Sequence, residues 1–584
     1  MRRLVELARR PALDWLVLAV AVALPCRQLA ALGSDYYIDW MNHQWAIGYT
    51  AEFFRHHWTM PGVVNTAELG GLAVPVFYGN LFYPEMGFLA RWTSPELAIR
   101  IAAIALTAVQ FRLVAKAMLR VGAPRGLALG VACLVIWAIY PLTNLYNRAA
   151  LTEWFAAGLL VCGVALLVLL CRADDARQRR RYACAMLLAL TIAAGTHPIT
   201  ALLGLPMFAA LGGVAAWLMR GDRARLRATV VALAPWLGLA ALCIAPWLYA
   251  TLGYAGDLKI RQFVANVVFF PDSIDAWSTR FWPLPLDRRV LPDVPSGAVS
   301  TPYLDAQINL ALLVMFALLA VTALRATRGT ASRKPLAIVL AIVVALFGVF
   351  TALSLVPETY ALAPALGRLV QFAYRAVTYQ NLALLAGVLL VAMAAPELAA
   401  RLGQPAVRAV LTACLVLSAA GVVIKWQHIA VIEHPHAAQD PIHLPQSYYG
   451  SGDYATEARF APLGDEPSLA RPFAVDADRR FGLTNAQVIE LAEPTWIATN
   501  LQSFPWNAIV IDGMRVAAAE LRTSKGTLAV RVPAGKHVLA ARFEPPPAWR
   551  ILRAASLLAL AAWWLALLVA LVRRARMGSP GDLV

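Results

Sequence analysis

Asp35, Asp39 and His43 fall in one short stretch, Gly33 to Trp45, together with Tyr36, Tyr37, Trp40 and Trp45. On a helix Asp39 and His43 stand four apart on one face, and Asp35 joins them a turn earlier. A carboxylate leaving an apolar run beside such rings is well placed to meet a lipid head-group. The plainer alternative is an aromatic interface anchor with solvated acids. Further polar groups repeat that position at the ends of apolar runs. Asn144, Tyr146, Asn147, Arg148 and Glu153 form one junction, His197-Pro198 breaks another run, and Gln371-Phe372-Ala373-Tyr374-Arg375 precedes a third. Ionisable groups at membrane depth are costly and tend to mark a substrate path. Singly each has an ordinary explanation: a structural Arg148–Glu153 ion pair, a His197 that only ends a helix, an Arg375 that snorkels. Together, on one side, they describe an outward-facing cavity with a carboxylate and the fixed cations Arg148 and Arg375, which suits an anionic phosphate head-group.

Composition sets what must hold these residues. Of 584 residues, 60% are hydrophobic and 15% charged, more apolar surface than a soluble core can bury, which indicates a polytopic membrane protein. The net charge of +17 would suit nucleic acid, but its placement argues otherwise and no nucleic-acid partner is expected. Apolar runs that meet a rough 20-residue criterion are read at about 12–32, 97–118, 126–142, 150–171, 182–197, 200–219, 228–250, 307–325, 335–356, 379–396, 406–425 and 551–572. Basic clusters alternate with them: Arg2, Arg3, Arg9 and Arg10; Lys116, Arg120 and Arg125; Arg172 to Arg181; Arg220 to Arg227; Arg325 to Lys334; Arg401 and Arg408; Arg573, Arg574 and Arg576. Every cluster falls on one side if both termini are cytoplasmic.

The other side receives the long loops. One covers about 33–96 and one about 251–306, with Asp257, Lys259, Arg261, Asp272, Asp275, Arg288 and Arg289. A shorter one at about 357–378 holds Arg368 and Arg375. Long loops of this kind are usually functional. Within the first, Ala51 to Trp58 suits an interfacial helix. The Pro-bounded aromatic stretch Pro75 to Glu85 reads as a second interfacial or re-entrant element. The block 426–550 is turn-rich around Tyr448 to Asp453, then strand-like from Thr495, with turns at Asp512-Gly513, Lys525-Gly526 and Pro533-Ala534-Gly535. That describes a small antiparallel β module for binding or bracing. The chain thus divides into a transmembrane unit, 1–425, the module, 426–550, and a last span with a basic tail, 551–584. All seven cysteines lie in or beside apolar runs, so no disulfide framework is expected.

With these pieces, the chain resembles bacterial GT-C type membrane glycosyltransferases. More narrowly, it resembles the family named for a "6-pyruvoyl-tetrahydropterin synthase related" membrane domain and the YfhO-like membrane proteins. The residues that carry the likeness are Asp39 with His43, Tyr146 to Glu153, Thr196-His197-Pro198, and Gln371 to Arg375. The last stretch reads Gln-Phe-Pro-Trp-Arg in the family, and Ala373 and Tyr374 depart from it. Pro505-Trp506, Asp512-Gly513 and Pro533-Ala534-Gly535 resemble the YfhO-like β domain. The resemblance implies a GT-C-like polytopic α-helical fold of about twelve spans with a small periplasmic β-rich module. It implies a multi-pass protein of the bacterial inner membrane with a periplasmic active site. It further implies transfer of a sugar, with inversion, from a polyprenyl-phosphate donor to a glycan, lipid-linked or protein acceptor. In that reading Asp39 is the general base, His43 orients the acid or the sugar, and Arg148 and Arg375 hold the phosphate. Glu153 holds Arg148, and Asp35, His197, Tyr374 and Gln371 join the substrate site. Some relatives use a divalent metal, which here would bridge Asp39, His43 and the phosphate; the spacing alone leaves metal unassigned. Two other readings stay open: a lipid or glycan transporter or flippase, and a non-catalytic envelope-glycan assembly protein.

Overall fold

The computed structural model describes residues 11–31, 34–36, 38–66, 69–259, 267–270, 274–286, 304–367, 369–429, 432–433, 454–471 and 481–576. Outside them lie Arg2 to Arg10, Gly33, Tyr37, Arg261, Asp272, Arg288, Arg289, Arg368 and Tyr448 to Asp453.

Each predicted span is largely helical in its described part, though the run at 126–142 breaks at Trp137-Ala138 and the run at 307–325 becomes helical only at Leu310. In chain order these helices, with two from the first loop, are α1 (Pro11–Cys26), α2 (Ile38–His57), α3 (Phe82–Ala90), α4 (Pro95–Arg120), α5 (Arg125–Ile136), α6 (Leu151–Cys171), α7 (Ala176–Thr196), α8 (Pro198–Leu218), α9 (Arg223–Tyr254), α10 (Leu310–Ala326), α11 (Arg333–Leu355), α12 (Val377–Ala394), α13 (Pro405–Gln427) and α14 (Pro547–Arg576). Their starts follow capping chemistry. Ser94 accepts from Leu97 N–H at 3.1 Å with Pro95 next to it, Asp175 from Gln178 N–H at 2.7 Å, and Asn309 from Leu312 N–H at 3.0 Å.

Among the described residues eight helices are long and apolar enough to cross a membrane, nine if the bent pair Arg125–Ile136 and Ile139–Asn147 is one span. Three of the expected spans fall short for separate reasons. α1 has 16 residues, α10 has 17, and α7 opens on Arg177, Arg179, Arg180 and Arg181. Two spans form the centre. Leu151–Cys171 and Ala373–Ala394 are buried over 83% and 94% of their apolar windows, against 17–44% for the other six. The outer helices therefore face lipid, while these two are covered by protein and deliver their first turns to a common interior point.

The first loop differs from expectation. The helix proposed from Ala51 reaches back to Ile38, and Trp40, Trp45, Ile47 and Tyr49 are buried. Protein covers these rings, and periodicity cannot tell protein from lipid as the covering phase. The Pro75 to Glu85 stretch is likewise buried at Val76, Phe77, Leu81, Phe82 and Tyr83, so it is an internal segment, not an interfacial one. It leans on the end of α7, where Leu81 N–H donates to Gly195 O at 3.2 Å. A Cβ at Gly195 would stand 2.4 Å from Leu81 Cγ. Gly195→Ala is therefore expected to lower stability by about 1–3 kcal/mol, read as a fall in the melting temperature of the purified protein; an unchanged melt would show that Leu81 yields freely.

The C-terminal module packs two sheets, ordered β3-β9-β10-β6-β4 and β5-β11-β7-β8. β3 is Ala461–Pro462, β4 Ser468–Arg471, β5 Thr484–Leu491, β6 Thr495–Gln502, β7 Asn507–Ile511, β8 Met514–Arg515, β9 Arg522–Ser524, β10 Thr527–Val532 and β11 Gly535–Phe543. A pair of short strands near the membrane unit, β1 (Ser34–Asp35) and β2 (Ile432–Glu433), is separate. Alternating inward residues such as Ile489, Ile497, Ile509, Leu528, Val530 and Leu539 fill the sandwich. Asp512-Gly513 and Lys525-Gly526 turn as read from sequence, all four with positive φ. The module is mixed rather than antiparallel, since β3 pairs β9 and β4 pairs β6 in parallel. It is fastened to the first loop: Gly70 and Gln502 join through Gly70 N–H to Asn500 O and Gln502 N–H to Gly70 O, both 2.9 Å. Ala73 N–H also donates to Gln502 Oε1 at 3.0 Å.

Candidate functional site

The site is organised by Glu153 in the first turn of α6. The chain reaches it by an irregular path: Thr143–Asn147 is a π turn, closed by Arg148 N–H to Thr143 O at 2.8 Å, and Ala149 follows with φ 51°. π turns and non-glycine residues in the left-handed region are uncommon and gather at functional sites. Their effect here is to fold Arg148 back onto Glu153. Arg148 Nη1 lies 3.1 Å from Glu153 Oε2 and donates to Asn144 Oδ1 at 2.6 Å. Tyr140 Oη and Asn144 Nδ2 each donate to Glu153 Oε1 at 3.1 Å.

The second cation comes from the stretch before α12. The segment 267–270 of the second loop pins it, with Val268 N–H donating to Gln371 O at 3.1 Å and Ala373 N–H to Val268 O at 3.3 Å. That loop segment is itself held by a buried Asp275–Arg280 pair at 2.7 Å, and Asp275 also accepts from Phe270 N–H. Arg375 Nε then stands 3.1 Å from the same Glu153 Oε2, and its Nη2 donates to Gln371 Oε1 at 3.3 Å. Tyr374 lays its ring 5.0 Å from the Arg148 guanidinium. One carboxylate thus holds two buried arginines. Arg148 Nη2 and Arg375 Nη1 keep no hydrogen bond among the described residues. A snorkelling Arg375 would be extended toward water; this one is buried and ion-paired.

Asp39 starts α2, half-buried while Arg148, Glu153, Arg375 and His197 are buried. Burial pushes its carboxyl up to about 6, against the pull of the Arg148 charge, a hydrogen bond with Asn42 and the Arg375 charge. Asp39 therefore shares one electrostatic neighbourhood with both arginines. His43, one turn on, turns to α3, its Nδ1 3.0 Å from Tyr83 Oη, and burial pushes it down to about 3. His197 caps α8, its Nδ1 accepting from Thr200 N–H at 3.3 Å. The charges of Glu153, Arg375 and Arg148 act on His197, which puts it at the same cluster. Asp35 pairs through its backbone with Ile432 in β1–β2; its side chain is outside the described set.

Three tyrosines belong to the cluster without having been singled out from sequence. Tyr140 donates to Glu153, and Tyr83 meets His43. Tyr78 hydrogen-bonds Thr152, and burial pushes its phenol up to about 12 with Asp39, Arg375 and Glu153 among its charged neighbours. A usable signal was Tyr78-Gly79 in the aromatic stretch: Gly79 has φ +61°, a reversal that glycine adopts at low cost. Among the described residues no three His, Cys, Asp or Glu side chains converge as a metal site, and His43 already engages Tyr83, so no ligand set for a divalent ion is assigned. All seven cysteines are buried and free.

No protein-family profile matches the chain, and no curated protein matches it. Two solved structures are similar, both of the arabinofuranosyltransferase AftD from Mycobacteria. One matches with TM-score 0.45 and 16% identity over 72% of this chain and 27% of that one. The other, the mutant R1389S in its class 2 form, matches with TM-score 0.43 and 14% identity over 92% of this chain and 42% of that one. The chain thus spans less than half the length of either, and a likeness at this level assigns no activity.

Proposed function

We propose that this protein is an integral-membrane glycosyltransferase that takes a sugar from a polyprenyl-phosphate carrier at the periplasmic face of the bacterial inner membrane. The observation that carries the reading is a partly open acid, Asp39, in the field of two buried arginines whose spare edges have no protein partner among the described residues. In the proposed reaction Asp39 takes the proton of an acceptor hydroxyl as that oxygen attacks the anomeric carbon. The bond from that carbon to the phosphate oxygen breaks, and the leaving polyprenyl phosphate keeps the electron pair. Its growing charge falls to Arg148 Nη2 and Arg375 Nη1, donors already oriented by Glu153. Attack opposite the phosphate inverts the anomeric centre. His43 and His197 serve as positioning groups, with Tyr374 and Gln371 steadying the arginines. The proposed arrangement has about twelve spans with both termini cytoplasmic, since the basic clusters of the sequence then share one side.

The test is transfer by the reconstituted full chain from a panel of polyprenyl-phosphate pentoses and hexoses to added glycan acceptors. Release of polyprenyl phosphate with a new glycosidic bond is expected; movement of intact lipid-linked sugar between leaflets without bond cleavage would establish a transporter instead. The pH dependence follows from the base. Asp39 titrates near 6 and must be ionised to accept a proton. Turnover at saturating donor is therefore expected to be level above neutrality and to fall about tenfold per pH unit below 6. A flat profile between pH 5 and 8 would remove Asp39 from that role.

A further inference from the structure

A second cationic site lies at the far end of α2. A cavity of about 430 Å³ opens there between Tyr49 and Phe53, strand β11 and the first turns of α14. Tyr49, the nearer of the two, is ten residues from Asp39 along one helix, about 15 Å at 1.5 Å per residue, so the two sites are separate. Three arginines line the cavity, Arg542, Arg550 and Arg553, and among the described lining residues there is no carboxylate. Arg542 and Arg550 are exposed. Arg553 is only 8% exposed, and none of its nitrogens meets an acid among the described residues. Its Nη1 donates to Asn80 O at 3.0 Å, and its Nε has no partner among the described residues.

A guanidinium taken out of water with only a carbonyl for company is expensive, and such groups persist where an anion completes them. The position narrows the anion. α14 is one of the apolar spans, and Arg550 and Arg553 stand in its first two turns, the depth at which lipid head-groups meet a membrane protein. Phe53, Trp549 and Leu557 supply an apolar wall beside the cations. We infer that this cavity binds the phosphate of an anionic lipid head-group, Arg553 supplying the buried charge and Arg550 and Arg542 closing over it. The bond from Arg553 to Asn80 ties the site to the segment that carries Tyr78, so a bound lipid also braces that segment. The inference stands apart from the sugar-transfer reading, since it concerns other residues and its readout is binding.

The experiment uses the full chain in nanodiscs of phosphatidylcholine containing a minor fraction of phosphatidylglycerol, with bound lipid read by native mass spectrometry. Phosphatidylglycerol is expected to be retained over phosphatidylcholine and to raise the melting temperature. Arg553→Gln should cut that retention about tenfold. The double variant Arg542→Gln with Arg550→Gln touches only exposed groups and should reduce retention with an unchanged melt in the absence of the anionic lipid; it decides the matter alone if Arg553→Gln does not fold. Equal retention in wild type and the double variant overturns the inference. So does a wild-type melt raised by inorganic phosphate when phosphatidylglycerol is held no better than phosphatidylcholine, which would make free phosphate the ligand.

Discussion

Asp39→Asn is expected to give a correctly inserted protein whose sugar transfer is lower by roughly 10²–10⁴-fold, the contribution typical of a positioned base. Asparagine keeps the shape and the exchange with Asn42 but cannot take a proton. What separates this from structural damage is the expected direction of stability. An aspartate that titrates near 6 when folded and near 4 when unfolded binds its proton more readily in the folded state. Its ionisation therefore opposes folding. The penalty is absent below about pH 4, grows as pH rises, and is complete above about pH 6. Removing the charge at pH 7 should raise stability, by an amount on the order of 1–3 kcal/mol. A variant that melts higher and works far less identifies a residue kept for chemistry. Retained turnover would remove Asp39 as the base. A lower melting temperature would mean that Asp39 is held for the fold, as a partner of Arg148 and Arg375.

The second large effect is on the fold. Glu153→Gln leaves Arg148 and Arg375 buried against each other with their shared counter-charge gone. Removing one member of a buried ionic group costs about 3–5 kcal/mol, because the remaining charges stay desolvated and here repel. The expected result is a large drop in melting temperature in detergent, with the π turn at Thr143–Asn147 the first region to exchange its amide hydrogens. Adding Arg375→Gln to Glu153→Gln should recover part of the loss, since the double variant carries one buried cation instead of two. An unchanged melt in Glu153→Gln would show that water or lipid already neutralises the arginines.

Eight of the spans were legible because each is a long apolar run, and a chain must cover such a run with lipid or with other helices. Which of the two covers it was not legible. The runs at 150–171 and 379–396 look like their neighbours in composition, yet they form the protein-covered centre, a property of packing that no single run encodes. The gathering of Asp39, Arg148, Glu153, His197 and Arg375 was readable because all lie at the same ends of successive runs, and alternation of direction does the rest. The tyrosines escaped notice for a different reason. Tyr78, Tyr83 and Tyr140 sit in aromatic or apolar surroundings where a ring is unremarked, and only the reversal at Gly79 and the bend after Ile136 decide where their hydroxyls point. Arg553, inside a run read as an ordinary final span, is evident only once the cavity beside it is seen.

The hydrogen bonds between Gly70 and β6 make the β module part of the membrane unit's mechanics. Residues 70–73 are stitched to Asn500, Gln502 and Asn507, while Phe77 packs on Phe504 at the next step of the same chain. Shearing the module away would strip four main-chain and side-chain links and bare a cluster of large rings just ahead of Tyr78. The soluble lobe is therefore a keystone for the loop beneath it, and a shortened chain that ends at the eleventh expected span would lose the setting of its first loop along with the lobe.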